Sequence, residues 1–120
     1  MINKKLITDV YSTNEVKTNK VYIDENGIEW PVYRKIVNGT LPSQNFTKFI
    51  DMSFANEIIG EDIRIKDGSS TIKMPFVNLV NDYYLDFYID SSNNYYIHFS
   101  ANAYGSKPFK AIIEYTKTTN

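Results

Sequence analysis

The sequence predicts an all-β domain, an antiparallel β-sandwich of jelly-roll-like build with seven or eight short strands behind an extended N-terminal arm. Three observations predict it. Short apolar runs alternate with a period of two and are separated by turns rich in Asn, Asp, Gly and Ser. Aromatic residues make up 15% of the 120 positions, ten of them Tyr, while the strong helix formers Ala and Leu are scarce. Finally, no segment keeps a 3.6-residue period; residues 49–59 are the only helical candidate, and their period is poor. AT-rich codons deliver Asn, Ile, Lys and Tyr, so part of the bias reads as genome composition.

Residues 8–20 are polar and aperiodic, and residues 1–19 are read as an arm or attachment segment ahead of a sandwich domain at 20–120. Residues 20–24 and 28–37 flank Glu25-Asn26-Gly27, where Gly supplies the positive φ of a tight hairpin turn. Residues 38–43 read as a loop, 46–52 as a strand, and 58–66 as a better one, with Ile59, Ile63 and Ile65 on one parity. Asp67-Gly68-Ser69-Ser70 closes that strand. Residues 71–77 are strand-like but contain Pro75, which cannot donate to a ladder and so belongs at an edge or a strand end.

Residues 83–90 and 94–100 alternate most clearly. Tyr83, Leu85, Phe87, Ile89, Tyr95, Ile97 and Phe99 fall on one face; Tyr84, Asp86, Tyr88, Asp90, Tyr96, His98 and Ser100 fall on the other. Opposing like with like across a Ser91-Ser92-Asn93 loop, with Asn93 in the left-handed region, fixes the register: Asp86 opposite His98, Tyr88 opposite Tyr96, Leu85 opposite Phe99. A last strand at 109–117 sets Phe109, Ala111, Ile113 and Tyr115 inward and Lys110, Glu114 and Thr116 outward.

The charge balance is 13 Lys+Arg against 14 Asp+Glu, with one His and no Cys. Absent Cys excludes disulfides, thiolate metal sites and cysteine nucleophiles. Near-neutral net charge argues against a duplex-binding surface, so no nucleic-acid partner is expected. No apolar run approaches membrane-spanning length, so no membrane insertion is expected either. Asp24-Glu25-Asn26-Gly27 lacks the spacing of a calcium loop and reads as a turn, leaving Asp62 and Asp67 as the loop carboxylates open to a cation. No metal site or cofactor is assigned.

Asp86 and His98 could orient an imidazole as general base, but Ser100, two residues along, stands ~7 Å from His98, too far to be activated. The pair reads as a cross-strand polar contact, and no catalytic residue is assigned. The surrounding Tyr84, Tyr88 and Tyr96 are more informative, because Tyr offers an apolar ring with a polar tip suited to a sugar face or a subunit interface. Subunit interface, ligand contact and ordinary surface remain the three readings. Asn102 and Tyr104, in the 101–108 loop, are further candidate contacts, as is Trp30, for which a core position is the alternative.

Val10-Tyr11-Ser12-Thr13-Asn14-Glu15-Val16, residues 24–37 with Trp30-Pro31-Val32-Tyr33-Arg34-Lys35-Ile36-Val37, Gly39-Thr40-Leu41-Pro42, Ile72-Lys73-Met74-Pro75-Phe76-Val77-Asn78 and Ile112-Ile113-Glu114-Tyr115-Thr116-Lys117-Thr118-Thr119-Asn120 form a set of segments. Together they resemble small β domains of bacteriophage tail-fibre and minor structural proteins. The resemblance covers about residues 10–120 and rests on packing and turn motifs. It implies a non-catalytic virion protein, a homotrimer at the end of a fibre or spike, contacting a bacterial surface glycan or polymer. No fibre shaft precedes the domain, so it is expected to be a trimmed domain or a short protein joined to other virion proteins through residues 1–20. The alternatives are a capsid or tail attachment module binding only virion proteins, and a carbohydrate-binding module of a cell-wall hydrolase.

Overall fold

The computed structural model describes residues 15–80, 82–100 and 104–118. Nine strands form two antiparallel sheets: β1 (Glu15–Ile23), β2 (Glu29–Thr40), β3 (Lys48–Asp51), β4 (Glu57–Asp67), β5 (Ser70–Lys73), β6 (Phe76–Asn78), β7 (Tyr83–Ile89), β8 (Asn94–Phe99) and β9 (Pro108–Thr116). One sheet runs β1-β2-β9-β4-β5 and the other β3-β8-β7-β6. The β-sandwich is therefore as predicted, and no described residue is helical; 49–59 comprises β3, a turn and the start of β4.

The count exceeds the expectation because the 71–77 run splits at the cis Met74–Pro75 bond. β5 stays in the larger sheet while β6 enters the smaller one. Two boundaries also move. Residues 15–19, expected in the arm, belong to β1, with Glu15, Val16 and Lys17 paired to β2, and residues 38–40, expected in a loop, extend β2 against β9.

Two hairpins close with the same chemistry. In each, an Asp carboxylate accepts backbone N–H bonds from the residues two and four positions on: Asp24 from Asn26 and Ile28, Asp90 from Ser92 and Asn94. The third residue after the Asp is left-handed in both, Gly27 at φ 79° and Asn93 at φ 63°. This is a three-residue loop built on a type I turn with a bulge. Asn26 itself is not left-handed, so Gly27 alone supplies the positive φ.

The core lies between the sheets and is supplied by alternate residues. Ile63 and Ile65 of β4 and Ala111, Ile113 and Tyr115 of β9 meet Leu85, Tyr95 and Ile97 of the smaller sheet, all at 1% exposure or less. Burying an Ile or Leu fully stabilises by roughly 1.5–3 kcal/mol. β9, the last strand in sequence, sits at the centre of the larger sheet, paired by β2 and β4. Thr116, expected outward, is buried at 1% exposure, with its carbonyl accepting the Asn56 N–H at 2.7 Å.

Candidate functional site

The register of β7 and β8 is as predicted: Asp86 opposite His98, Phe87 opposite Ile97, Tyr88 opposite Tyr96 and Leu85 opposite Phe99. Because Leu85, Tyr95 and Ile97 are buried, the even positions necessarily face away from the core. Tyr84, Asp86, Tyr88, Tyr96 and His98 thus share the outer face of the smaller sheet.

Their rings form a continuous row. Tyr88 and Tyr96 stack at 5.1 Å with planes 11° apart. Tyr84 lies 5.1 Å from the His98 ring, its hydroxyl 3.3 Å from Nε2. Phe46 joins the two pairs, stacked 5.4 Å from His98 and tilted 6.4 Å from Tyr88. Sequence alternation did not mark Phe46, because its placement is set by its neighbour. The Asn45 side chain imitates a strand, donating Nδ2–H to the Phe99 carbonyl at 2.8 Å and accepting the Phe99 N–H at 3.0 Å. Phe46 N–H then donates to the Ile97 carbonyl at 2.9 Å, and Phe46 takes φ 61° with 60% of its surface exposed. A bulky aromatic residue in the left-handed region is a conformational outlier.

The polar groups at the border are held in place. Asp90, whose carboxylate takes the Asn94 N–H, lies below the usual carboxylate range, with the Tyr96 hydroxyl as a further donor. That bond to Asp90 in turn raises the Tyr96 phenol. Lys48, opposite Tyr96, pairs with Asp51 at 3.3 Å. Asp86 accepts the Phe87 N–H at 2.7 Å, and no hydrogen bond joins it to His98. Ser100 Oγ accepts the Tyr84 N–H at 2.9 Å. The arrangement is a surface of ring edges and faces with polar tips, not a nucleophile–base pair.

The remaining candidates lie elsewhere. Tyr104, expected as a loop contact, is 8% exposed and packs edge-on to Phe76 at 6.0 Å. The loop folds back because Leu41 donates to Lys107 O at 2.9 Å and Ser106 donates to Leu41 O at 2.8 Å, which carries Tyr104 into the core. Asn102 lies outside the described residues. Trp30 is half-buried, neither core nor free surface: its Nε1–H donates to Asp24 Oδ2 at 2.9 Å and fastens the β1–β2 turn. Beside it a cleft of about 350 Å³ runs along Lys17, Lys20, Val21, Glu29 and Pro31. Asp62 and Asp67 are engaged by Arg64 and Lys107 at 3.0 and 3.1 Å. Among the described residues no group of three or more His, Asp or Glu is spaced to hold a metal ion.

Comparisons with protein-family models, with curated proteins and with solved structures return no match.

Proposed function

We propose that this chain is a non-catalytic binding domain of a phage virion, whose aromatic face on the smaller sheet contacts a bacterial surface glycan. One observation carries the reading: the row Tyr84–His98–Phe46–Tyr88–Tyr96, displayed on a solvent-facing sheet with Phe46 held at φ 61°. A strained, exposed aromatic residue costs stability of order 1–3 kcal/mol, and such outliers cluster where a contact requires them. Aromatic rings with polar tips suit the C–H face and hydroxyl rim of a sugar. Homotrimeric assembly fits this role, because linked weak sites gain avidity without new contacts.

The test compares wild type with Phe46→Gly and Tyr88→Ala on a bacterial glycan array. Phe46→Gly removes the ring and relieves the left-handed conformation, so it is expected to match or exceed wild-type stability while losing glycan signal. Retained signal in both variants would refute the reading. Light scattering is expected to give three times the 13.9 kDa chain mass. The second reading, a module bound only to other virion proteins, draws on Val77 and Leu79, 59% and 90% exposed beside the same face at the β6 edge. Absence of glycan signal in wild type together with tight capture of a tail or capsid protein would favour it.

A further inference from the structure

The outer face of the larger sheet differs chemically from the aromatic face. With Phe109, Ala111 and Ile113 inward, β9 turns Lys110, Ile112 and Glu114 out; with Ile63 and Ile65 inward, β4 turns Asp62, Arg64 and Lys66 out. The ladder sets Arg64 opposite Lys110 on one side and opposite Lys73 of β5 on the other. Three cations therefore stand in one cross-strand row, spanning ~10 Å at the usual strand spacing. Lys66 follows two residues along β4.

Like charges directly opposite one another weaken a sheet, so such a row calls for compensation. Little is present. Asp62 is the carboxylate beside the row, and it takes both Nε–H and Nη2–H of Arg64 at 3.0 and 3.1 Å. Among the described residues no carboxylate forms an ion pair with Lys66, Lys73 or Lys110. Between Arg64 and Lys110 the surface dips into a shallow trough of about 320 Å³, floored by Ile112 and bordered by Asp62. The net charge of the whole chain is −1, so the concentration of cations belongs to this face and not to the composition.

We propose that the row Lys110–Arg64–Lys73, extended by Lys66, binds a linear polymer carrying carboxylate or phosphate groups. The argument is charge complementarity: positive charge that Asp62 offsets only in part is arrayed along a line across the strands, and an anionic chain laid over it meets the cations in succession. A polymer without bases fits better than single-stranded nucleic acid, which binds by stacking on aromatic side chains. No described aromatic residue faces outward beside this row; Tyr22 and Trp30 lie at the far end of the β1–β2 pair. The site is on the opposite sheet from the aromatic face and stands independently of it.

The test titrates the protein into fluorescently labelled polygalacturonate, inorganic polyphosphate and oligothymidylate at low salt, with pelleting of phosphatidylglycerol vesicles alongside. The expected result is binding of polygalacturonate, polyphosphate or both, weakening as salt is raised. The two polymers separate carboxylate from phosphate preference. The double variant Lys73→Gln/Lys110→Gln is expected to bind about tenfold more weakly, since two phosphate- or carboxylate-facing charges are lost. Lys17→Gln, on the distant edge strand β1, is expected to bind as wild type. Melting temperature provides a second readout, because removing like-charge neighbours leaves the double variant at or above wild type. Four results would overturn the proposal: no binding of either polymer, equal weakening by Lys17→Gln, tighter binding of oligothymidylate or vesicles than of both polymers, or a lowered melting temperature in the double variant.

Discussion

Replacing Gly39 by Ala measures how closely β2 and β9 pack, and Gly60 provides the matched control. Gly39 lies opposite Phe109, and a Cβ added there would stand 3.0 Å from Cε2 and 3.2 Å from Cζ of that ring. Ordinary contact begins at 3.4 Å, so the ring has to shift by a few tenths of an ångström. Phe109 has little room for this. It is 5% exposed, and the Phe49 ring stands edge-on to it at 5.3 Å. Overpacking of this kind costs ~1–3 kcal/mol. Against it, Ala restricts the unfolded chain and returns ~0.4–1 kcal/mol where the native backbone suits it. The net expectation for Gly39→Ala is a loss of ~0.5–2 kcal/mol. A Cβ on Gly60, in the same sheet, meets nothing within 4 Å, so Gly60→Ala keeps the entropic gain of ~0.4–1 kcal/mol alone. Urea unfolding followed by Trp30 fluorescence, fitted with a common slope, checks the order Gly60→Ala above wild type above Gly39→Ala. Gly39→Ala equal to Gly60→Ala, or more stable than wild type, would refute the packing argument.

Asn93→Val should fall ~1–2 kcal/mol below Asn93→Gly in the same assay; both lose the side-chain bond to Ala55 O, so the difference isolates the left-handed φ of 63°. Ile97→Ala, at a fully buried position, should cost ~2–5 kcal/mol, with tight collapse of the cavity giving the lower end. Acid should destabilise the fold over a defined window. The Asp51 carboxyl is lowered from 3.8 to about 2, first by the Ser53 hydroxyl and then by the Ser53 N–H. Asp24 and Asp90 are lowered too, led by the Trp30 indole and the Asn94 N–H respectively. At Glu15 burial pushes the carboxyl up, but the bonds from Lys117 and Tyr115 outweigh it. Folded values below unfolded ones mean that stability is complete above the ordinary carboxylate values and drains as pH falls from there towards 2. Chemical denaturation midpoints across that range check the sign, and a midpoint that rises on acidification would contradict it.

Alternation and turn chemistry were legible because both are local. A period of two tells which residues of 83–99 face the core, and a three-residue Ser91-Ser92-Asn93 loop with left-handed Asn93 sets the register. From this the outward placement of Tyr84, Asp86, Tyr88, Tyr96 and His98 follows without tertiary information. The same reasoning could not see that Tyr104 turns inward, because backbone bonds to Leu41, 63 positions earlier, decide it.

The sequence by itself determined most of the strands, the buried parity of β7, β8 and most of β9, and the two tight hairpins, since neighbouring residues supply the physics involved. Only the tertiary structure decided the order of strands, placing β9 between β2 and β4, because pairing between distant segments depends on which apolar faces meet in space. It likewise brought Phe46 onto the tyrosine face through Asn45 and aligned Lys110, Arg64 and Lys73 from three strands. The place of Phe46 on one surface and of Lys110 on the other depends on contacts between segments remote in sequence, and no local period encodes that.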